Sequence, residues 1–290
     1  MHFQTFSVVV GSRACNASCP FCISKQTGLL TFAAAEGINW RNFDIACKLA
    51  KRAGTTTVLL TGKGEPTLYP SLIETYLGKL QKQQFPLIEL QTNGIALFDE
   101  RFASESTLKR WLELGLTTIA LSVVHWNSVF NRRIYNPTSH TYYDLGSLIN
   151  KLHNIGFSVR LCVMLLKGYI DTPSQVDQMI SFARCHKVEQ LTFRNIVASK
   201  LTEHNDISRW TKEHALNMDE IDAINKYVNL AGTLLHRLMH DTVIYDVDGQ
   251  NVCLGTCLTQ DPNQNEFRQL IFFPDGSLYW DWQYKGARIL

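Results

Sequence analysis

The chain has 290 residues, 45% hydrophobic and 19% charged, enough to bury the core of one large domain or of one domain with an appended module. A net charge of +2 is too small to argue for a nucleic-acid partner, and no run approaches the roughly 18 apolar residues of a membrane span. Residues 1–6 lack the basic and long apolar regions of a signal peptide. A cytoplasmic location is therefore expected, where the eight cysteines point to metal or redox chemistry rather than to a disulfide framework.

One local pattern recurs along the first 200 residues: an amphipathic helix, a glycine, then a β-branched strand. Residues 6–10 read as a first strand. Residues 41–53 place Phe43, Ala46, Cys47 and Ala50 at helical spacing, Gly54 follows, and 55–61 is strand-like. A third strand is expected at 87–91. A helix at 108–114 leads through Gly115 into a strand at 116–123, and a helix at 145–155 leads through Gly156 into 157–165. Glycine just past a helix suits the left-handed position there. Thr172 and Pro173 open a helix running to about 186, followed by a sixth strand at 190–197.

Helical crossovers imply parallel neighbours, and the near-continuous apolar strands imply burial on both faces. An open doubly wound sheet satisfies this pattern as well as a curved partial barrel does. The pattern ends near Ala198. Residues 218–238 read as one long helix with Ile221, Ile224, Tyr227, Val228, Ala231 and Leu235 on one face. Beyond it, strands at 242–247, 250–253, 267–273 and 277–282 flank Asp-Gly turns at 248–249 and 275–276, as in hairpins.

The chemistry concentrates in Cys15-Asn16-Ala17-Ser18-Cys19-Pro20-Phe21-Cys22, directly after the first strand. Three thiolates so close hold soft metals. Zinc normally takes four ligands, and no fourth Cys or His stands nearby except His2; three neighbouring cysteines cannot all pair as disulfides. The spacing, with an aromatic residue before the last cysteine, resembles the radical S-adenosylmethionine (radical SAM) family. The resemblance implies an α/β fold, an open partial (β/α)6 barrel with a C-terminal α+β extension, whose site lies at the C-terminal ends of the strands. It implies that Cys15, Cys19 and Cys22 hold a [4Fe-4S] cluster whose fourth iron binds S-adenosyl-L-methionine (SAM), with Phe21 near the adenine.

After the second strand, Gly62-Lys63-Gly64-Glu65-Pro66 matches the end of that family's SAM-binding Gly-Gly-Glu stretch, with Lys63 separating the glycines. Asn93, in Thr92-Asn93-Gly94, and Ser122, at the end of the fourth strand, stand where the family contacts SAM. Asn-Gly also favours a turn by itself. Arg160 is a candidate contact to the SAM carboxylate or a substrate phosphate. Arg194, in a strand where an unpaired charge is costly to bury, is a candidate substrate anchor. His125 and Arg132, with Arg133, lie in a stretch after the fourth strand read as a loop, and are candidate contacts to an anionic substrate.

The expected division is residues 1–200 as the barrel and 201–290 as the extension. Cys253-x3-Cys257 with Phe273-Pro274-Asp275-Gly276 resembles the C-terminal extensions of radical SAM maturases and of the molybdopterin-precursor cyclase, which carry auxiliary clusters. No cysteine follows Cys257, so cysteine alone does not complete a second cluster. Cys47, Cys162 and Cys185 read as small buried hydrophobes. Trp280, Trp282 and Tyr284 are placed to close over the barrel. The resemblance implies an enzyme abstracting hydrogen from a small molecule, nucleotide or phosphorylated metabolite, with an electron donor such as flavodoxin or ferredoxin. Peptide modification is the alternative, and a non-catalytic SAM or cluster sensor a third reading.

Overall fold

The computed structural model describes residues 2–27, 37–139, 142–199, 202, 204–238, 242–256 and 266–290. Six strands carry the framework: β1 (His2–Val9), β2 (Thr57–Thr61), β3 (Leu87–Thr92), β4 (Thr118–Val123), β5 (Ser158–Leu165) and β6 (Gln190–Asn195). They lie in sequence order, each parallel to the next. Helices α1 (Ile23–Gln26), α2 (Trp40–Arg52), α3 (Pro70–Gln81), α4 (Glu105–Glu113), α5 (Ser128–Tyr135), α6 (Leu145–Ile155) and α7 (Pro173–Cys185) run between them. Gly54, Gly115 and Gly156 adopt φ of 78°, 99° and 112°, so the helix–glycine–strand unit forms as its sequence demands.

The helix faces are equally direct readings of the chain. On α2 the buried residues are Phe43, Ala46, Cys47 and Ala50. Thr172 and Gln175 close a capping box at the start of α7, with Pro173 in its first turn. These helices pack on the outer face of the sheet, where Phe6, Val8, Val58, Leu60, Leu90, Leu121, Leu161 and Leu191 join one core. The inner face differs from the expectation of strands apolar on both sides. Ser7, Glu89, Gln91, Arg160, Thr192 and Arg194 line a lumen cavity of about 480 Å³. Strand alternation sorts the two sets, because successive side chains point to opposite faces.

The last third of the chain holds α8 (Asn205–His214), α9 (Met218–Ala231), β7 (Thr233–Arg237), β8 (Val243–Val247), β9 (Gln250–Thr256), β10 (Glu266–Phe272) and β11 (Leu278–Tyr279). Its strands enlarge the same sheet at both flanks, in the order β11-β10-β1-β2-β3-β4-β5-β6-β9-β8-β7. Both joining strands are parallel to their neighbours, β10 to β1 and β9 to β6. Arg268 on β10 donates to the Thr256 carbonyl at the end of β9 (2.9 Å), linking the two flanks across the curved sheet.

Three local expectations change. The long helix stops at Ala231, where Gly232 turns to extended backbone (φ −119°, ψ 161°) and packs so closely on Val247 and Asp246 that a Cβ would meet them at 2.8–2.9 Å. The chain then continues as the exposed strand β7, paired antiparallel with β8. Residues 128–135 are helical rather than loop, capped by the Asn127 side chain accepting from the Val129 amide. A helix, α8, also forms at residues 205–214, a segment assigned no element from the sequence. Cys185 is exposed, whereas Cys47 and Cys162 are buried. Cys257 lies outside the described residues. No helix among the described residues is long and apolar enough to cross a membrane.

Candidate active site

Parallel strands place the β1–α1, β2–α3 and β3–α4 connections at one end of the barrel, and the three motifs meet there. The cysteine loop is pinned on two sides by backbone hydrogen bonds. Glu65 N–H donates to the Ala14 carbonyl (2.9 Å), Ser18 N–H to Tyr135 (2.8 Å), and Thr138 N–H to Asn16 (3.0 Å). Gly64 is required by this packing: a Cβ there would stand 2.1 Å from the Ala14 oxygen and 2.7 Å from the Arg13 carbonyl carbon. The glycine thus admits the cysteine loop's own backbone.

Glu65 is buried and forms a hub. One oxygen accepts from Thr67 N–H (3.0 Å), Thr67 Oγ1 (2.6 Å) and Thr92 Oγ1 (2.6 Å), and the other from Asn93 N–H (2.9 Å). Burial raises its pKa, and these hydrogen bonds oppose the shift. Asn93 carries the connection onward: its amide donates to Asn16 Oδ1 (2.8 Å) and stands 3.9 Å from Cys15 Sγ. Tyr143 OH donates to the Asn93 carbonyl (2.8 Å). Thr92, Asn16 and Tyr143 had no signal in the sequence, since each acts through long-range contacts, whereas Thr67 acts on Glu65 only two residues away.

The donor set suits a soft metal centre. Burial pushes the Cys15 thiol up to about 11, with Glu65 and Cys22 adding to it. Burial also drives Cys19 well up, reinforced by Cys22 and Cys15. Sulfurs that disfavour each other's ionisation are close neighbours, and a metal centre binding thiolates offsets that repulsion. Among the described residues, no three His, Cys, Asp or Glu side chains converge as ligands of a single ion would.

Phe21 lies between Tyr135 (ring centroids 6.3 Å) and Trp210 (6.1 Å). Gln26 anchors α1: its amide nitrogen donates to the Phe21 carbonyl and to Thr211 Oγ1, both at 3.2 Å, and its oxygen accepts from Ser199 N–H (3.0 Å). Lys63 is buried and its Nζ donates to the Thr27 carbonyl (2.7 Å) and Oγ1 (2.8 Å), 5.2 Å from the Trp282 ring centroid. Burial, with Arg13 contributing, lowers its pKa to about 8. Lys63 therefore joins α1 to the aromatic C-terminal segment, and Trp282 lines the lumen.

The other expected residues separate. Gly62 lines the cavity beside Lys63. Ser122 is half-buried on β4, in register with Cys162 on β5. Arg160 lies deeper and donates to Glu89, which also accepts from Gln91 (3.2 Å). Arg194 lines the lumen. His125 is buried outside that lining, stacked on Phe130 (4.3 Å), with its Nδ1 accepting from Asn127 N–H (2.9 Å). Arg132 is exposed on α5. Cys253 lines the lumen on β9, in register with Thr192.

Comparison with known proteins agrees with this architecture. The crystal structure of Streptococcus suis SuiB bound to precursor peptide SuiA superposes with a TM-score of 0.60 at 14% identity, covering 96% of this chain and 59% of that one. Native anSMEcpe with bound AdoMet gives 0.62 at 15% identity, covering 99% and 77%. Methylornithine synthase (PylB) gives 0.55 at 14%, covering 78% and 62%. This chain thus spans about three-fifths of SuiB. No curated protein matches in sequence. The Radical SAM superfamily model matches residues 9–183, so the chain belongs to that superfamily of enzymes, which use a [4Fe-4S] cluster and SAM.

Proposed function

We propose that the barrel mouth is the radical-forming site, with Cys15, Cys19 and Cys22 holding the cluster and SAM held against Gly62, Gly64, Glu65, Asn93 and Ser122. Phe21 borders the adenine, and Arg160 supports the lumen floor through Glu89. The carrying observation is the backbone linkage of the cysteine loop to the Gly64–Glu65 turn, which joins two family motifs in one rigid unit. When bound, this cofactor pair supplies reductive cleavage of SAM and hydrogen-atom abstraction from substrate by the resulting 5′-deoxyadenosyl radical.

The chain's own residues position, shield and orient. Glu65 retains acceptor capacity for an ammonium on the oxygen that, among the described residues, accepts only from Asn93 N–H. Lys63 and Trp282 hold the C-terminal segment over the lumen, which limits water access to a radical. A small molecule fits the 480 Å³ lumen, within the usual range of ligand pockets. Peptide modification is a second reading, favoured by the fold's likeness to SuiB bound to SuiA and to anSMEcpe with a bound peptide. An external one-electron donor of the flavodoxin or ferredoxin type completes the cycle.

The test is anaerobic incubation of reconstituted protein with SAM, with dithionite present or absent. Candidate substrates are supplied alongside, and 5′-deoxyadenosine is measured by mass spectrometry. Deoxyadenosine that depends on dithionite is expected. Its absence from a fully cluster-loaded sample across small-molecule and peptide substrates would overturn the assignment.

A further inference from the structure

The lumen beneath the mouth has a charge imbalance. Among the described residues its lining carries four cations, Lys63, Arg160, Arg194 and Arg268, against one carboxylate, Glu89. Lys63 is occupied with Thr27 near the mouth, and Arg160 is paired with Glu89. Arg268 is tied to Thr256 across the flanks. Arg194 differs: among the described residues its guanidinium makes no hydrogen bond and no ion pair. A guanidinium presents five donors, and holding it in a half-buried cavity without an acceptor is unfavourable.

A second observation points to the same spot. Thr192, two residues before Arg194 on the same face of β6, is 3% exposed, and among the described residues its Oγ1 meets only the weak Cys253 thiol beside it. Both residues line the cavity, as does Gly255, which pairs with Arg194 on β9 and places no side chain beside it. Arg160 Nε is likewise buried without a partner. Buried donors without strong acceptors in the wall of one cavity, beside an unpaired guanidinium, are the pattern left by a ligand that supplies acceptors.

We propose that Arg194 and Thr192 anchor an anionic group of the substrate, a carboxylate or a phosphate, in the lumen below SAM. This inference rests on the radical SAM reading and assigns its substrate class. A planar guanidinium binds either oxyanion through two parallel hydrogen bonds, and the Thr192 hydroxyl adds a third. The anion offsets the charge excess and fixes the substrate, so that its reacting carbon faces the mouth.

The full-length, cluster-reconstituted protein is titrated calorimetrically with inorganic phosphate and, separately, with succinate, at low ionic strength. One saturable site is expected for at least one probe, and which binds tells phosphate from carboxylate. Arg194→Gln should weaken that site at least ten-fold, whereas Arg237→Gln, on the exposed strand β7, should leave it within two-fold. If Arg194→Gln fails to fold, Thr192→Val carries the test, with a weakening of three-fold or more expected. Saturating SAM should leave the site in place. No site for either probe, equal affinity in the variant that folds, or loss of the site when SAM is bound would each overturn the proposal. Deoxyadenosine formation by the same wild-type sample separates the two failures. Cleavage without an anion site defeats this inference alone, and an anion site without cleavage defeats the functional reading.

Discussion

The barrel mouth and the lumen below it are built on opposite principles. At the mouth, Glu65 is surrounded by donors, Asn93 bridges to the cysteine loop, and Lys63 donates twice to Thr27. In the lumen, among the described residues, Arg160 Nε has no partner, Thr192 Oγ1 meets only the Cys253 thiol, and Arg194 lacks an acceptor. A self-satisfied network holds its shape before anything binds, whereas a lumen with spare donors is completed by what enters it. On the proposed reading, the difference separates the part of the site that handles a cofactor common to the family from the part that selects the substrate.

The sharpest way to break the mouth is Gly64→Ala. Its Cβ would meet backbone atoms of the cysteine loop rather than a flexible side chain, so the loop must shift. A shift of that kind should cost about 10²-fold in deoxyadenosine formation, measured by mass spectrometry, with the melting temperature nearly unchanged. Activity near wild type would show that the cysteine loop's position is not set there.

Glu65→Gln comes next. Relieving a buried charge helps, but the new amide turns donors toward donors, for a net loss of about 2 kcal/mol. Urea denaturation of the metal-free protein measures it, and an unchanged midpoint would remove Glu65 as the hub.

The smallest effect concerns His125, whose pKa is lowered by burial from its ordinary value of 6.5. Because the native state takes up its proton later than the unfolded chain, stability should fall as pH drops below 6.5 and level off beneath the lowered native value. His125→Gln should flatten that part of the pH profile in thermal melts. An identical slope in both proteins would assign it to other groups.

Much of this was legible in the sequence. The helix–glycine–strand units are local features, and Gly54, Gly115 and Gly156 punctuate them as expected. The cysteine triad and Glu65 were legible because their chemistry depends on residue type and short spacing. The attachment of β9 to β6 and β10 to β1 was not, since it pairs strands far apart in the chain. The roles of Thr92, Tyr143 and Lys63 were hidden for the same reason. Arg194 stood out as a charge within a strand, but only the curvature of the sheet shows that it faces a cavity.

The most direct measurement counts iron and acid-labile sulfide per chain after anaerobic reconstitution of wild type, Cys19→Ala and Cys253→Ser. About four irons are predicted for wild type, a near-complete loss for Cys19→Ala, and wild-type content for Cys253→Ser. Iron retained in Cys19→Ala but lost in Cys253→Ser would place the cluster in the lumen and contradict the division between the two regions.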